Sequence, residues 1–254
     1  MRISVITVCY NSSKTIGDTL RSVREQTYKN IEHIIVDGGS KDNTLEVVAV
    51  EGVHVAKIVS EKDDGIYDAM NKGLALATGD VIGILNSDDV FADSSVISTV
   101  ALTMQNERID ACYGDLVYVA ADDIGKVVRY WKSQAYRTGL FDHGWVPAHP
   151  TFYARRDVYQ KFGNFDLSMR LAADFDILIR FIEAHQISTA YIPKVLVKMR
   201  LGGATNVSFK NIYKQNIEIT RAFRKYGLHA GAKPFLFKML TRVAQFIKKP
   251  SGHG

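Results

Sequence analysis

"GDVIGILNSDDVFADSS", residues 79–95, joins an apolar run to an abrupt polar cluster. Val81, Ile82, Ile84 and Leu85 have the character of a strand covered on both faces of a sheet. The run stops at Asn86, Ser87, Asp88 and Asp89. Adjacent carboxylates repel each other and resist burial. A turn that carries them directly after a buried strand either meets a positive charge or remains a solvated cap for the next helix.

The same grammar recurs upstream. "ISVITVCY" (3–10) reads as a buried strand, followed by "NSSKTIGDTLRSVREQ", with Ser12 or Ser13 as a helix cap and Ile16, Leu20 and Val23 as an apolar stripe. "IEHIIVDGGSKDNTLEVV" repeats strand, Gly-rich turn and capped helix, and "HVAKIVSEKDDGIYDAMNKGLALA" gives a short strand, an acidic turn and a helix. Strands alternating with helices predict an α/β chain: a Rossmann-like, mostly parallel sheet flanked by helices. Downstream, "ACYGDLVYV" and "GKVVRYW" have hairpin character, "HPTFYARRDVYQKFG" reads as a strand and then a helix, and "ADFDILIRFIEAH" as a helix with Ile177, Phe181 and Ile182 inward. There is no internal repeat and no low-complexity linker.

In open parallel sheets, ligands bind at the carboxyl ends of the strands. The first four strands place there, in turn, Cys9-Tyr10-Asn11, Asp37-Gly38-Gly39-Ser40, Asp63-Asp64-Gly65 and Asn86-Ser87-Asp88-Asp89. A solvated turn explains any one of these and is a weaker account of all of them together. The turn after the first strand, "CYNSSKT", lacks the glycines of a dinucleotide site, and no P-loop pattern is present. An acidic rim repels bare phosphates unless a divalent cation intervenes. Hard oxygen ligands suit Mg²⁺ or Mn²⁺, held by one or two carboxylates plus substrate phosphates. Asp88 and Asp89 are the candidate ligands. In the helix after Gly65, Asp64, Asp68 and Asn71 fall on one side, and Ile66, Met70, Gly73, Leu74 and Ala77 on the other.

With 254 residues and 46% hydrophobic composition, the chain can bury one large core. Its two cysteines, Cys9 and Cys112, form neither a disulfide framework nor a zinc pattern, and Cys9 is expected as a reduced, buried thiol. The opening residues turn polar too soon for a signal peptide, and no apolar run reaches the length of about 20 residues needed for a spanning helix. A cytoplasmic protein is the expectation. Charge is unevenly placed: from Lys210 to the end there are ten Lys or Arg and one acid, Glu218, so a tail of about +9 follows a body of about −4.

"ISVITVCYNSSKTIGDTLRSVREQTYKNIEHIIVDGGSKDNT", "DDGIYDAMNKGLALATGDVIGILNSDD", "HPTFYARRDVYQKFGNFD" and "ADFDILIRF", in that order, resemble the family 2 glycosyltransferases, which have a GT-A fold. The resemblance covers residues 1 to about 205. It implies a catalytic domain over 1–209, with a nucleotide-sugar half to about 115 and an acceptor half from about 116, followed by a basic helical extension over 210–254. It implies that Thr7 to Asn11, including Tyr10, touch the nucleotide of the donor, and that Asp37, with Gly38 beside it, hydrogen-bonds the base, usually uracil. Asp63 matches a second nucleotide-contacting acid, and Asp64 would take that role after a shift of one residue. Asn86-Ser87-Asp88 fills the place of the family's Asp-x-Asp metal motif with Asn as its first member, leaving Asp88 as the principal ligand of Mn²⁺ or Mg²⁺ and Asp89 as its neighbour. Asn71 matches the family's helical Asn, with Met70 where an Arg is common.

The implied reaction displaces a nucleoside diphosphate from a sugar's anomeric carbon. Asp174 is the implied general base, with Ala173 where Glu is common, and its alternative role is a helix N-cap. One base and no covalent partner implies single displacement with inversion. His149 resembles a histidine near the acceptor or the diphosphate, its alternative being structural. "VKMRLGGATN" resembles a loop that closes over the donor, with Gly202 and Gly203 permitting motion and Arg200 either meeting the diphosphate or serving as a surface cation. The implied acceptor is a glycan or lipid-linked sugar. "KPFLFKMLTRVAQFIKK" (233–249) has the spacing of an amphipathic helix, which would lie on an anionic membrane or dock on the catalytic domain or on a second subunit of a homodimer. Nucleic acid is not an expected partner, because aromatic and basic residues are not interleaved in the tail. Two other functions compete: a sugar nucleotidyltransferase, poorly matched by "YNSSKTIG", and a non-catalytic nucleotide-sugar-binding scaffold, consistent with Asn86 and Ala173.

Overall fold

A computed structural model of the protein describes residues 1–202 and 209–228. The elements run β1 (Ile3–Cys9), α1 (Ile16–Arg24), β2 (Ile31–Asp37), α2 (Thr44–Glu51), β3 (Val55–Ser60), α3 (Ile66–Leu76), β4 (Val81–Ile84), β5 (Val90–Phe91) and α4 (Val96–Met104). They continue with β6 (Ala111–Val119), β7 (Val127–Trp131), β8 (Tyr153–Arg155), α5 (Arg156–Phe162), α6 (Ala173–Leu178), β9 (Thr189–Arg200) and α7 (Phe209–Lys225). The strands form a single sheet in the order β3-β2-β1-β4-β8-β6-β9-β5, with β7 paired to β6. β1 to β4 are mutually parallel, as the alternating pattern predicts. Every residue of β1 is buried, the signature of a strand covered on both faces.

β8 is antiparallel to both β4 and β6, with Gly83 opposite Tyr153 and Val81 opposite Arg155. That reversal decides where the second half of the chain meets the first. Residues just before β8, among them the short turn His149–Thr151, lie beside the carboxyl end of β4. The two-residue strand β5, which the sequence pattern does not reveal, pairs with the last residues of β9 and draws residue 200 toward the acidic turn.

The helices bury the predicted stripes, with local differences. Ile16, Leu20 and Val23 of α1 are buried. Its cap position is Thr15 rather than Ser12 or Ser13, and Ser12 contributes only its carbonyl, to the N–H groups of Thr15 and Ile16. α3 turns Met70, Gly73 and Leu74 inward, but Ile66 is 48% exposed at its first turn. Gly73 allows α3 to lie directly on β1, because a Cβ there would sit 2.4 Å from Ile6 Cγ2. β6 and β7 form the expected hairpin. α6 continues as a π-helical segment over Ile179–Ala184, and Ile177, Phe181 and Ile182 are buried. The start of the basic tail, α7, packs on α6 through Ala222 and Phe223, whose ring lies 5.6 Å from that of Phe175. The stretch 233–249, expected as an amphipathic helix, lies outside the described residues. No helix among the described residues is long and apolar enough to cross a membrane.

One buried polar chain crosses β1 and β2. Thr7 Oγ1 lies 3.0 Å from His33 Nε2, and His33 Nδ1 lies 3.0 Å from His54 Nε2. Burial, followed by the neighbouring His54, pushes His33 down to about 3. A base depressed in the folded state stabilises the fold above its unfolded pKa and loses that contribution as the pH falls. His33 alone should therefore remove about 2 kcal/mol of stability between pH 7 and pH 5. Urea unfolding at the two pH values should show this drop, and His33→Gln should abolish most of it. An equal drop in the variant would assign the effect to other groups.

Candidate active site

The carboxyl ends of β1 to β4 build one rim, and Asp37 organises it. Asp37 is fully buried. Its Oδ2 accepts from the N–H groups of Gly39 (3.1 Å) and Ser40 (3.0 Å) and from Ser60 Oγ (2.7 Å), while Oδ1 accepts from Ser40 Oγ and from Cys9 Sγ at 3.7 Å. Burial opposes its charge, yet the Ser40 and Ser60 hydroxyls and the Ser40 and Gly39 N–H groups hold it below the usual carboxylate range. With its oxygens thus engaged and no exposed surface, Asp37 shapes the turn and is not presented to a nucleobase. The half-buried acid at the surface of this turn is Asp63. Its Oδ1 accepts the Gly65 N–H at 2.9 Å, and its Oδ2 lies across Gly38, where a Cβ would stand only 2.2 Å away. A side chain at position 38 would displace the Asp63 carboxylate from this place.

The turn after β1 is stitched to its neighbours. Asn11 adopts φ 50°, a left-handed conformation that Asn tolerates. Its N–H donates to Ser40 Oγ and its Oδ1 accepts the Lys41 N–H, both at 2.8 Å. Ser87 Oγ donates to Ser12 Oγ at 2.9 Å, joining the β4 turn to the β1 turn. Tyr10 is 61% exposed on the rim. Thr7 is buried inside β1 on His33 and does not reach the rim, because its place in the alternation points it into the sheet's packing.

The acidic turn separates its two carboxylates. Asp89 is fully buried, with Oδ1 accepting the Arg200 N–H at 3.3 Å and Oδ2 accepting from Asn86 Nδ2 at 3.4 Å. Burial raises the pKa of both acids, and for Asp89 the charge of Asp88 adds to the effect. Asp89 is thus an internal partner of the loop and not a solvent-facing metal ligand. Asp88 remains part-exposed, and Asn86 Oδ1 is buried without a hydrogen-bond partner. A carboxylate and an orphaned amide oxygen on one turn are the hard donors a small divalent cation takes, with the remaining ligands drawn from a phosphate and water. These residues fit such an ion. Among the described residues, no group of three or more His, Cys, Asp or Glu side chains could hold a metal by itself.

Arg200 departs from the sequence expectation. It is the last residue of β9 and is buried, with its guanidinium paired to Asp18 and donating to the Ala121 carbonyl at 3.0 Å. β5–β9 pairing places it there, so it is not a surface cation; its side chain is engaged by Asp18 and Ala121. Gly202 has φ 113°, and Gly203 and the five residues after it lie outside the described residues.

Asp174 and His149, far apart in sequence, meet at the rim. Asp174 lies in the first turn of α6, whose cap position is Ala172, so it is not the N-cap. Its Oδ2 is 3.1 Å from His149 Nδ1, and its Oδ1 accepts from Tyr67 Oη at 3.0 Å. Burial, with Asp174 next, pushes the Tyr67 phenol well up, so it stays a donor. Tyr67 stands in the first turn of α3, and the sequence reading missed it. Its signal is position: a polar-tipped aromatic in the first turn of a helix that starts at the rim. Asn71 is spent elsewhere, its amide donating to the Phe165 carbonyl and accepting the Phe165 N–H, each at 3.0 Å.

The sequence profile of the glycosyl transferase family 2 matches residues 4–172. The chain belongs to this family. Among curated family relatives, a PGL/p-HBAD biosynthesis glycosyltransferase of Mycobacterium bovis (strain BCG / Pasteur 1173P2) is 28% identical over 208 residues, covering 80% of this chain and 78% of the relative. An uncharacterized glycosyltransferase of Mycobacterium tuberculosis (strain CDC 1551 / Oshkosh) is 31% identical over 182 residues, 70% of this chain and 68% of its own. In fold, this family 2 chain is similar to residues 1–349 of Staphylococcus aureus TarS in complex with UDP-GlcNAc, with a TM-score of 0.67 at 18% identity over 95% of this chain and 72% of that one. A Pyrobaculum calidifontis mannosyltransferase in complex with GDP-Man and Mn²⁺ gives a TM-score of 0.65 at 18% identity, covering 96% and 69%. The fold is GT-A.

The contact between Gly38 and Asp63 gives a test of the rim. Gly38→Ala places a methyl where Asp63 Oδ2 lies. It should weaken nucleotide binding about tenfold, equivalent to about 1.4 kcal/mol, measured by calorimetric titration with UDP and Mn²⁺. Unchanged affinity would overturn the expectation that Asp63 contacts the nucleotide.

Proposed function

We propose that the protein transfers a sugar from a nucleoside-diphosphate sugar, with uridine as the base, to a hydroxyl of a glycan or lipid-linked acceptor, by single displacement with inversion. The observation that carries this reading is the Asp174 carboxylate held between Tyr67 and His149 beside the end of β4, where Asn86 and Asp88 stand. Tyr10 offers an exposed ring to the base, and Asp63 a carboxylate oxygen to an N–H on the base edge. Asp88 and Asn86 Oδ1 would hold Mn²⁺ or Mg²⁺; when bound, such an ion neutralises charge on the departing diphosphate.

Asp174 does the proton work. The Tyr67 hydroxyl fixes one of its oxygens, leaving the other toward His149 and the incoming alcohol. As the acceptor oxygen bonds to the anomeric carbon, its proton passes to Asp174. The bond from that carbon to the phosphate oxygen breaks on the opposite face, and the nucleoside diphosphate leaves with the electron pair. His149, on the acceptor side, orients Asp174 and the hydroxyl. A lipid-linked acceptor would suit the basic tail, whose ten Lys or Arg face one acid, by drawing it to an anionic membrane.

Asp174→Asn should lower kcat about 10³-fold and leave the donor KM within about twofold, with initial rates measured on a panel of UDP-sugars and Mn²⁺. Nuclear magnetic resonance of the product should give the anomeric configuration opposite to that of the donor. A fully active variant, or a retained configuration, overturns the base assignment. Chelation of divalent ions should suppress turnover, and added Mn²⁺ should restore it.

A further inference from the structure

The basic tail contains one acid, and it is turned inward. Glu218, midway along α7, accepts the N–H of Arg170 through Oε1 at 3.0 Å and the N–H of Leu171 through Oε2 at 2.8 Å. Gln215, one turn earlier, donates to the Leu171 carbonyl at 3.2 Å. Further along, Lys225 reaches Asp166 at 2.8 Å and Asp176 at 3.4 Å, and Tyr226 donates to Asp176 Oδ1 at 3.0 Å. α7 therefore grips the main chain or side chains on both sides of Asp174. Both Asp174 and α7 lie beyond the residues that the family profile matches.

Glu218 acts where α6 begins. Leu171 immediately precedes Ala172, the cap residue of α6, which has no side-chain cap of its own. Arg170 extends the connection, its guanidinium donating to the Asp64 carbonyl on the rim. Two charge-assisted hydrogen bonds to consecutive N–H groups fix the direction in which the chain enters the helix, and with it where Asp174 stands.

We propose that Glu218 is a positioning residue for Asp174, so that the C-terminal helix is part of the catalytic machinery and not only an appendage. The inference rests on the assignment of Asp174 as the base. A displacement of about 1 Å at a reacting group can cost about 10²-fold in rate, so an anchor of the base's backbone acts on turnover more than on donor binding. Glu218 bonds to main-chain N–H groups and not to Asp174 itself.

The test is a double-mutant cycle in the full chain, with initial rates at saturating UDP-sugar and Mn²⁺ divided by the concentration of donor-binding sites. Glu218→Ala should lower kcat about tenfold or more with the donor KM within about twofold, and Glu218→Gln, which keeps one acceptor, should fall between it and the native protein. In the Asp174→Asn background, Glu218→Ala should change the residual rate by less than about twofold, because there is no base left to misplace. A merely structural Glu218 would lower both backgrounds by the same factor, and that result overturns the proposal. Should Glu218→Ala fail to fold, Glu218→Gln is compared in the same two backgrounds with the same criterion. An Asp174→Asn protein of native activity would instead refute the base assignment, and this inference with it.

Discussion

A buried carboxylate surrounded by donors sets the geometry of this protein. Asp37 has no exposed surface, and an unpaired charge in that position would be costly. It is tolerated because Cys9 from β1, Ser60 from β3, and Gly39 and Ser40 from its own turn all donate to it. Meeting those donors requires three strands to end at the same height. Once they do, Gly38 lies under Asp63, Asp63 receives Gly65, and α3 starts at a defined point. In the first turn of that helix Tyr67 reaches Asp174. The placement of Asp174, from the second half of the chain, thus traces back to the electrostatic needs of one residue in the first.

Much of the fold was legible because the first four strands are apolar and the helices carry regular stripes. Such patterns report burial by local composition alone. The rim was legible for the same reason: its members follow those strands directly. What the sequence did not reveal depends on partners supplied from elsewhere. Asp37 and Asp63 are both acids at strand ends, and only the donors from β1 and β3 make one internal and the other superficial. Asp88 and Asp89 are neighbours in sequence, yet Arg200 and Asn86 claim the second. Asn71 sits on the polar side of its helix, as periodicity predicts, but Phe165 occupies its amide. Tyr67 escaped notice because its partner lies 107 residues away.

Arg200 illustrates the same point from the side of the cations. A strand-ending Arg before two glycines has the look of a lid residue. In the fold, β5 and β9 pair, and the Arg backbone is drawn to Asp89 while its guanidinium goes to Asp18 on α1. The residue joins the acidic loop after β4, strand β9 and the first helix. Its buried guanidinium is balanced by the part-exposed Asp18, and without a partner the buried charge would be destabilising. The turn that presents Asp88 outward is thereby braced from behind.

α3 has a consequence for how such chains can be recombined. It lies in the first third of the sequence, yet Tyr67 holds Asp174, Asn71 clasps Phe165, and Asp64 at its entrance receives Arg170. A chimera cut at the apparent midpoint, near residue 115, would inherit α3 from one parent and all its partners from the other.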